Sequence, residues 1–297
     1  MSRLGLNPRF VIGAVLASMF VLVGAQTPAA ANDSVVPQPV RAASNGSTFE
    51  LTPRSRILAD GPGGVVDVGR LLRAAVSNST GWALPVDRHH RRSRPGDITV
   101  HLAPGQPVEG YHLKINARNM ALTASTPQGL FRGVQTLRQL LPAGPGAYRT
   151  ASISGTQIVD YPRFRWRGAM LDVARHFFTV DQVKTFIDEI ALSKVNFLHL
   201  HLTDDQGWRI AIKGWPRLTS VGASGALDGA AGGHYTQSDY KKIVSYAARR
   251  YVTVVPEIEG PAHSRAAGVA YPRLDCRGSL CVNHRLTFQV IDRKSVV

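Results

Sequence analysis

The first part of the chain, residues 35–160, alternates short apolar stretches with turns and contains one clear amphipathic helix. Apolar and polar positions alternate over 97–102 and again over 120–124. This pattern is typical of β-strands with one buried face. Thr126 can cap a helix that starts at Pro127, where a missing N–H has no cost. One face of this helix is formed by Leu130, Val134, Leu137 and Leu141. The proline after Leu141 ends it, so the pattern predicts a small α+β domain over 35–160.

The pattern changes after Tyr161-Pro162, where apolar strands alternate with amphipathic helices. Strands are predicted at 167–173, 196–202 and 252–258. Thr179 and Gln182 form a capping-box pair before a helix. The apolar stripes of the two helices comprise Val183, Phe186, Ile187, Ile190 and Ala191, and then Tyr240, Ile243, Val244, Ala247 and Ala248. Strands that alternate with helices indicate an α/β fold with parallel βα units.

The length of the second part limits how many such units it can hold. A complete (β/α)8 TIM barrel needs about 250 residues, whereas 136 residues remain from 162 to 297. About three βα units are visible, so residues 161–297 are predicted to be the first part of an incomplete barrel. The sequence is interpreted as that of a truncated enzyme.

The composition excludes several classes of protein. With 44% hydrophobic and 19% charged residues, the 297-residue chain can form real cores and is not disordered. Two cysteines exclude a disulfide framework and a cysteine-only zinc site. The net charge of +15 is spread along the chain, and its one dense run, 88–94, is interpreted as a solvated loop. No adjacent aromatic residues offer a stacking surface, so no nucleic-acid partner is expected.

The first 31 residues have the order of a secretory signal peptide. Arg3 and Arg9 precede the apolar stretch 10–25, and Ala29-Ala30-Ala31 offers a small-residue cleavage site. The alternative, a membrane anchor, needs about 20 apolar residues, and this stretch is shorter. We therefore expect a secreted or extracytoplasmic protein with no membrane association after cleavage. In an oxidising compartment, the close pair Cys276 and Cys281 is expected to form a disulfide.

Charged residues gather at the carboxyl ends of the three predicted strands, which in parallel βα folds is the face that carries the active site. Arg175 follows the first strand, and its fork of donors suits neighbouring hydroxyls or carboxylates. Asp172 and Glu257 lie inside strands, where they either act in the site or only pair with nearby cations. The remaining candidates are His199, His201, Asp204 and His263.

These histidines allow an alternative function. His199 and His201 share one strand face, and with Asp204 and His263 they would suit a zinc-dependent TIM-barrel hydrolase. A histidine satisfied within a core is the commoner case, so a metal site is not favoured.

The same three segments resemble glycoside hydrolase family 20, the β-N-acetylhexosaminidases. The first, WRGAMLDVARHFF at 166–178, is similar to the opening barrel strand of that family. NFLHLHLTDDQGWR at 196–209 resembles its second strand and loop, and VPEIEGPAH at 255–263 its third. The segment GVQTLRQLLP at 133–142 is similar to the end of the small domain that precedes the family's barrel.

The resemblance implies hydrolysis of terminal non-reducing N-acetyl-β-hexosamine residues by a substrate-assisted retaining mechanism. Arg175 would bind hydroxyls of the terminal sugar, and Asp204 and His263 would support the general acid. The implied partners are N-acetylhexosamine-terminated glycans or chitin oligosaccharides, and no cofactor or metal is implied.

The sequence departs from the family at its catalytic pair. The family's Asp-Glu pair belongs in a His-x-Gly-Gly-Asp-Glu segment after the fourth strand, and no Asp-Glu follows Glu259 here. The pair is therefore expected to lie beyond Val297, the last residue of this sequence. Asp188-Glu189 is on the polar side of a helix and is no substitute. We expect a chain truncated before its catalytic carboxylates and inactive by itself, or alternatively a non-catalytic sugar-binding remnant.

Overall fold

The structure, a computed structural model, describes residues 35–88, 92–144 and 149–292. The predicted signal peptide lies outside these residues. So does Val297, and the expectation that the catalytic pair lies beyond it stays a prediction. Within the described residues, none of the helices combines the length and the apolar character needed to cross a bilayer.

The amino-terminal part forms a seven-stranded mixed sheet. Its strands are β1 (Arg41–Leu51), β2 (Ile57–Ala59), β3 (Val86–Asp87), β4 (Ile98–Leu102), β5 (Tyr111–Ile115), β6 (Met120–Ala124) and β7 (Ala151–Asp160). Their order in the sheet is β1-β7-β5-β6-β4-β2-β3, with antiparallel pairing from β1 to β6 and parallel pairing from β6 to β3. Two helices, α1 (Val65–Thr80) and α2 (Pro127–Leu140), pack side by side against it.

Helix α1 is an element that the sequence analysis missed, because it expected one helix in this part of the chain. The residue before α1 is Gly64, whose φ of 80° is left-handed and which has no side chain to cap the helix. A start without Ser, Thr, Asp or Asn gives no capping signal. The buried stripe of Val65, Val68, Leu72 and Val76 is nevertheless helical in its spacing.

Helix α2 begins as its sequence predicts. The Thr126 hydroxyl accepts a hydrogen bond from the Gly129 N–H (3.1 Å), and Pro127 occupies the first turn. The helix ends at Leu140, and Leu141, the residue before Pro142, already has an extended backbone. Proline disfavours helical geometry in the residue that precedes it, which explains the end of the helix.

The second part contains a three-stranded parallel sheet of order β10-β9-β8. Its strands are β8 (Gly168–Asp172), β9 (Phe197–His201) and β10 (Thr253–Glu257). The helices of this part are α3 (Val180–Leu192), α4 (Arg217–Ser220), α5 (Gln237–Ala248), α6 (Arg265–Ala270) and α7 (Arg285–Asp292), with short 3-10 turns at Leu227–Gly229 and Pro272–Leu274. The predicted capping box at Thr179 and Gln182 is present at the start of α3.

Most of the predicted helical stripes are buried, but some positions are not. Phe186 on α3 is only partly buried, and on α5 Val244 and Ala248 are exposed. The prediction that Asp188-Glu189 lies on the polar side of α3 agrees with the packing. Asp188 accepts hydrogen bonds from the Tyr246 hydroxyl of α5 (2.6 Å) and from Arg250, which follows α5.

The two sheets are joined by a buried cluster of charges. Arg132 of α2, 1% exposed, donates to Glu109 (2.8 Å) and to the backbone carbonyls of Tyr251 (3.0 Å) and Val195 (3.4 Å). These carbonyls lie directly before β9 and β10, so one side chain holds the turns that lead into both strands. We call these contacts the Arg132 clamp.

A second buried pair lies beside the clamp. Lys194 Nζ contacts Asp160 Oδ2 (2.6 Å) and donates to the Tyr111 hydroxyl (3.1 Å). Burial lowers the pKa of Lys194, although the Asp160 carboxylate opposes this effect. This pair therefore fixes Lys194, in the turn between α3 and β9, to two strands of the seven-stranded sheet.

Candidate active site

The register of the parallel sheet places three titratable residues in one row. Asp172 of β8, His201 of β9 and Glu257 of β10 are direct cross-strand partners at the carboxyl ends of their strands. Because parallel strands end on the same edge, the loops that follow them meet above this row. The candidate site is built from these strand ends and loops.

Arg175 is positioned by Asp172 in the turn after β8. One carboxylate oxygen of Asp172 accepts the backbone N–H groups of Ala174 and Arg175 (both 3.0 Å), and the other accepts Arg175 Nη1 (2.5 Å). Burial raises the pKa of Asp172, but the hydrogen bonds from Arg175 outweigh it and hold the pKa below its ordinary value. Of the two roles considered for Asp172, the structure shows the pairing with a cation.

Asp204 connects Arg175 to the histidines. This carboxylate is 2% exposed, and its Oδ2 lies 2.8 Å from Arg175 Nη2 and 2.9 Å from His201 Nε2. Its Oδ1 accepts the Asp205 N–H (2.7 Å) and lies 3.4 Å from His263 Nδ1. The predicted residues Arg175, Asp204 and His263 therefore meet, although they come from three different loops.

His201 lies between two carboxylates. Its Nδ1 is 2.7 Å from Glu257 Oε2, a close ion pair without the alignment of a hydrogen bond. Burial lowers the pKa of His201, but Asp204 and Glu257 outweigh this, and the net effect raises the pKa. Glu257 also contacts His199, so this carboxylate pairs with two histidines.

The histidines do not form the zinc site considered from the sequence. In the part of the chain that the structure describes, the acidic and histidine groups close enough to share an ion are His201 with Glu257 and Glu259, and Asp204 with Asp205 and His263. His199 belongs to neither group, and His201 and His263 are in different ones. The alternative set of His199, His201 and His263 is therefore not assembled.

Arg209 organises the loops around the site, a role that sequence reasoning missed. Its guanidinium is fully buried and donates to five backbone carbonyls, those of Val173, Ala174, Ala223, Gly225 and Gly233, at 2.6–3.2 Å. Burial lowers the pKa of Arg209. Its side chain thus fixes the turn before Arg175 to the glycine-rich connection. Gly207 leaves room for this side chain, since a Cβ at Gly207 would lie 2.1 Å from the guanidinium carbon.

Two further features lie outside this set of charged residues. Cys276 and Cys281 form a disulfide in the segment after α6. A groove of about 740 Å³ lies at the opposite, amino ends of the strands, where Trp166 stacks on Phe197 (3.7 Å between ring centroids). The site is assigned to the charged edge around Arg175, because that groove lacks a comparable set of convergent charges.

Comparison with known proteins gives two family matches in the expected order. Residues 32–161 match glycosyl hydrolase family 20, domain 2, and residues 164–295 match glycosyl hydrolase family 20, catalytic domain. A β-hexosaminidase of Porphyromonas gingivalis is 37% identical over 250 residues, which cover 82% of this chain and 32% of that protein. A β-N-acetylhexosaminidase of Cellulomonas fimi is 37% identical over 249 residues, with 82% and 49% covered.

Solved structures agree with these matches. The β-N-acetylhexosaminidase of Streptomyces coelicolor superposes with a TM-score of 0.80 at 40% identity, covering 88% of this chain and 56% of that one. A mutant Streptomyces plicatus β-hexosaminidase in complex with the product N-acetylglucosamine superposes with a TM-score of 0.82 at 41% identity, with the same coverage. The chain thus spans about one third to one half the length of these curated relatives.

Proposed function

Because the chain belongs to glycosyl hydrolase family 20, we propose that its complete protein hydrolyses terminal non-reducing N-acetyl-β-hexosamine residues. The substrates would be N-acetylhexosamine-terminated glycans or chitin oligosaccharides. A chitobiase of Vibrio harveyi that is 36% identical over 194 residues supports this substrate class.

The observation that carries the proposal is the setting of Arg175. Its guanidinium lies between Asp172 and Asp204, yet the side chain is 39% exposed, so N–H groups remain accessible from solvent. A guanidinium fixed by two carboxylates presents its remaining donors at a defined angle, which suits two neighbouring hydroxyls of one sugar ring. Arg175 is therefore proposed to bind the terminal sugar.

The proposed reaction is substrate-assisted. The acetamido oxygen of the substrate attacks the anomeric carbon, while a glutamic acid gives its proton to the departing glycosidic oxygen. The same glutamate then takes a proton from water, whose oxygen opens the oxazolinium ring and restores the acetamide. An aspartate next to this glutamate would steady the acetamido nitrogen. Asp204 and His263 are proposed to lie beside the glutamate and to orient it.

The Asp-Glu pair that this reaction needs is not found between Glu259 and Val297. We propose that β8, β9 and β10 are the first three strands of a (β/α)8 barrel, and that further strands supply the pair. The 297-residue polypeptide would then hold the sugar-binding arginine without the general acid. We also propose that residues 1–31 direct its export.

An assay with an aryl N-acetyl-β-glucosaminide tests this assignment. The complete protein should release the chromophore, and the 297-residue polypeptide should not, since general acid catalysis alone contributes about 10²–10⁴-fold. Turnover by the 297-residue polypeptide near that of the complete protein would contradict the proposed division of the site. Absence of turnover by the complete protein would contradict the proposed activity.

A further inference from the structure

Four exposed arginines from three separate segments lie together at one end of the seven-stranded sheet. Arg54 precedes β2, Arg92 and Arg94 precede β4, and Arg118 lies in the turn between β5 and β6. The segments are held together by backbone hydrogen bonds, from the Gly96 N–H to the Arg118 carbonyl (2.7 Å) and from the Ile98 N–H to the Arg56 carbonyl (2.8 Å). We call Arg54, Arg92, Arg94 and Arg118 the arginine edge.

Arg56, which is not part of the arginine edge, pairs with Asp97, the buried carboxylate beside it, although the charge of Arg94 also acts on Asp97. Asp97 is 3% exposed and accepts Arg56 Nε (3.0 Å) and Nη2 (2.6 Å), together with the backbone N–H of Arg94 (2.8 Å). Asp87 is close enough to Arg56 to favour its charged form. Within the described residues, none of the four arginines of the edge forms an ion pair. Their side chains therefore leave positive charge at the surface.

The arginine edge lies at the end of the seven-stranded sheet opposite the junction with the second part of the chain. The opposite end of the same sheet leads into α1 and α2, where Gly64 lies against Pro127 and the Tyr251 hydroxyl of the second part. The Arg132 clamp and Glu109 are also at that end. A long ligand bound at the arginine edge would thus occupy a surface of the small domain that the contacts with the second part of the chain do not cover.

We propose that the arginine edge binds an anionic polysaccharide. Guanidinium groups bind sulfate, phosphate and carboxylate groups through paired N–H donors, and four of them match a repeating charged chain. The three segments that carry these arginines, 52–56, 92–97 and 116–119, contain no aromatic residue, whereas single-stranded nucleic acids favour stacking on aromatic side chains. The choice of a polysaccharide rests on the proposed function. A polysaccharide bound at the small domain would raise the local concentration of its chain ends near the active site.

Binding of heparin by the whole chain, measured by calorimetry at about 150 mM salt, tests the proposal with a matched pair of variants. The edge variant carries Arg54→Ser, Arg92→Ser, Arg94→Ser and Arg118→Ser. The control variant carries Arg73→Ser, Lys213→Ser, Lys241→Ser and Arg273→Ser, four exposed cations elsewhere, so both lose the same charge. The edge variant should bind heparin about tenfold or more weakly, and the control should stay within about twofold of the parent.

Three outcomes would overturn the proposal. Heparin binding that is undetectable in the parent chain, or that falls equally in both variants, would show that no local site exists. Duplex DNA bound more tightly than heparin, with loss in the edge variant, would assign the edge to nucleic acid. Circular dichroism and melting temperatures confirm that both variants are folded. Heparin binding needs no turnover, so its failure is distinguishable from a failure of the proposed hydrolysis.

Discussion

Single residues of the candidate site act through the carboxylates that hold them. Asp204 is the shared partner, since it contacts Arg175, His201 and His263 while remaining almost fully buried. Such cations and N–H donors offset the cost of burying a carboxylate. Arg175 and His201 are thus fixed in position by the same group, but only Arg175 is substantially exposed.

The proposed role of Arg175 predicts a kinetic effect that is larger than its structural effect. Arg175→Lys in the complete protein keeps a positive charge between Asp172 and Asp204 but loses the forked donors. Since a charge-assisted hydrogen bond contributes about 1.5–3 kcal/mol, kcat/KM should fall about 10- to 100-fold. The melting temperature should change little.

Arg273→Lys, at an exposed arginine of the same part of the chain, is the matched control and should leave kcat/KM unchanged. If Arg175→Lys instead unfolds the protein while the folded fraction keeps its kinetics, Arg175 is a structural ion-pair residue. The assignment of the sugar-binding arginine would then be wrong.

The raised pKa of His201 predicts a pH-dependent contribution to stability. A group whose pKa is higher in the folded protein stabilises it fully below the unfolded value of about 6.5 and loses that contribution as pH rises through the folded value. The difference in melting temperature between the parent chain and His201→Gln should therefore be largest at acidic pH and shrink towards alkaline pH. A difference that grows with pH would mean that His201 is buried in its neutral form.

At the scale of elements, helix α2 fits closely on the sheet. A Cβ at Gly133 would lie 2.3 Å from a methyl group of Leu122 on β6 and 3.1 Å from the Tyr111 ring on β5. Glycine therefore lets α2 approach the sheet closely, although it is a poor helix former.

Gly133→Ala has two opposite effects on the free energy of unfolding, a gain in helix propensity and a steric cost in packing. Alanine gains about 1 kcal/mol of propensity, whereas overpacking costs about 1–3 kcal/mol, so the variant should have a lower free energy of unfolding in urea. Ser245→Ala, on the exposed face of α5, tests propensity without the clash and should be neutral or slightly stabilising. Stabilisation by Gly133→Ala would show that α2 moves away from the sheet at little cost.

The elements also show which parts of the fold and of the candidate site can be predicted from the sequence. Helices α2 and α3 could be predicted because Thr126 and Thr179 supply side-chain caps, and α1 could not because it begins after a left-handed glycine. Polar residues at strand ends indicated the site, but the pairing of Asp172 with Arg175 was only one of two options. The role of Arg209 could not be predicted, since its partners are backbone carbonyls, which leave no mark in the sequence.

At the scale of the whole molecule, the small domain is bound to the second sheet through buried charge. The Arg132 clamp and the Lys194–Asp160 pair each join residues from both parts. Breaking a buried ion pair by removing one partner costs more than the pair contributes, because the other charge stays buried. The junction should therefore respond strongly to single substitutions.

Arg132→Met is predicted to lower the free energy of unfolding by about 1–3 kcal/mol, because the carbonyls of Val195 and Tyr251 lose this donor, whereas Glu109 keeps Arg167 as a partner. Arg138→Met on the same helix is the matched control, since Arg138 donates only to Gln135 (2.9 Å) within the described residues. Urea unfolding measures both. An equal, small effect of the two variants would mean that apolar packing alone holds the junction.

The Arg132 clamp also bears on the order in which the molecule folds during translation. Arg132 lies 63 residues before Val195 and 119 residues before Tyr251, so it is translated before both of its carbonyl partners. At roughly 5–20 residues per second, Tyr251 follows Arg132 after roughly 6–24 s. Helix α2 can already be folded on its sheet when the turns that it holds emerge. The small domain is then in place to position the turns before β9 and β10 as they are synthesised.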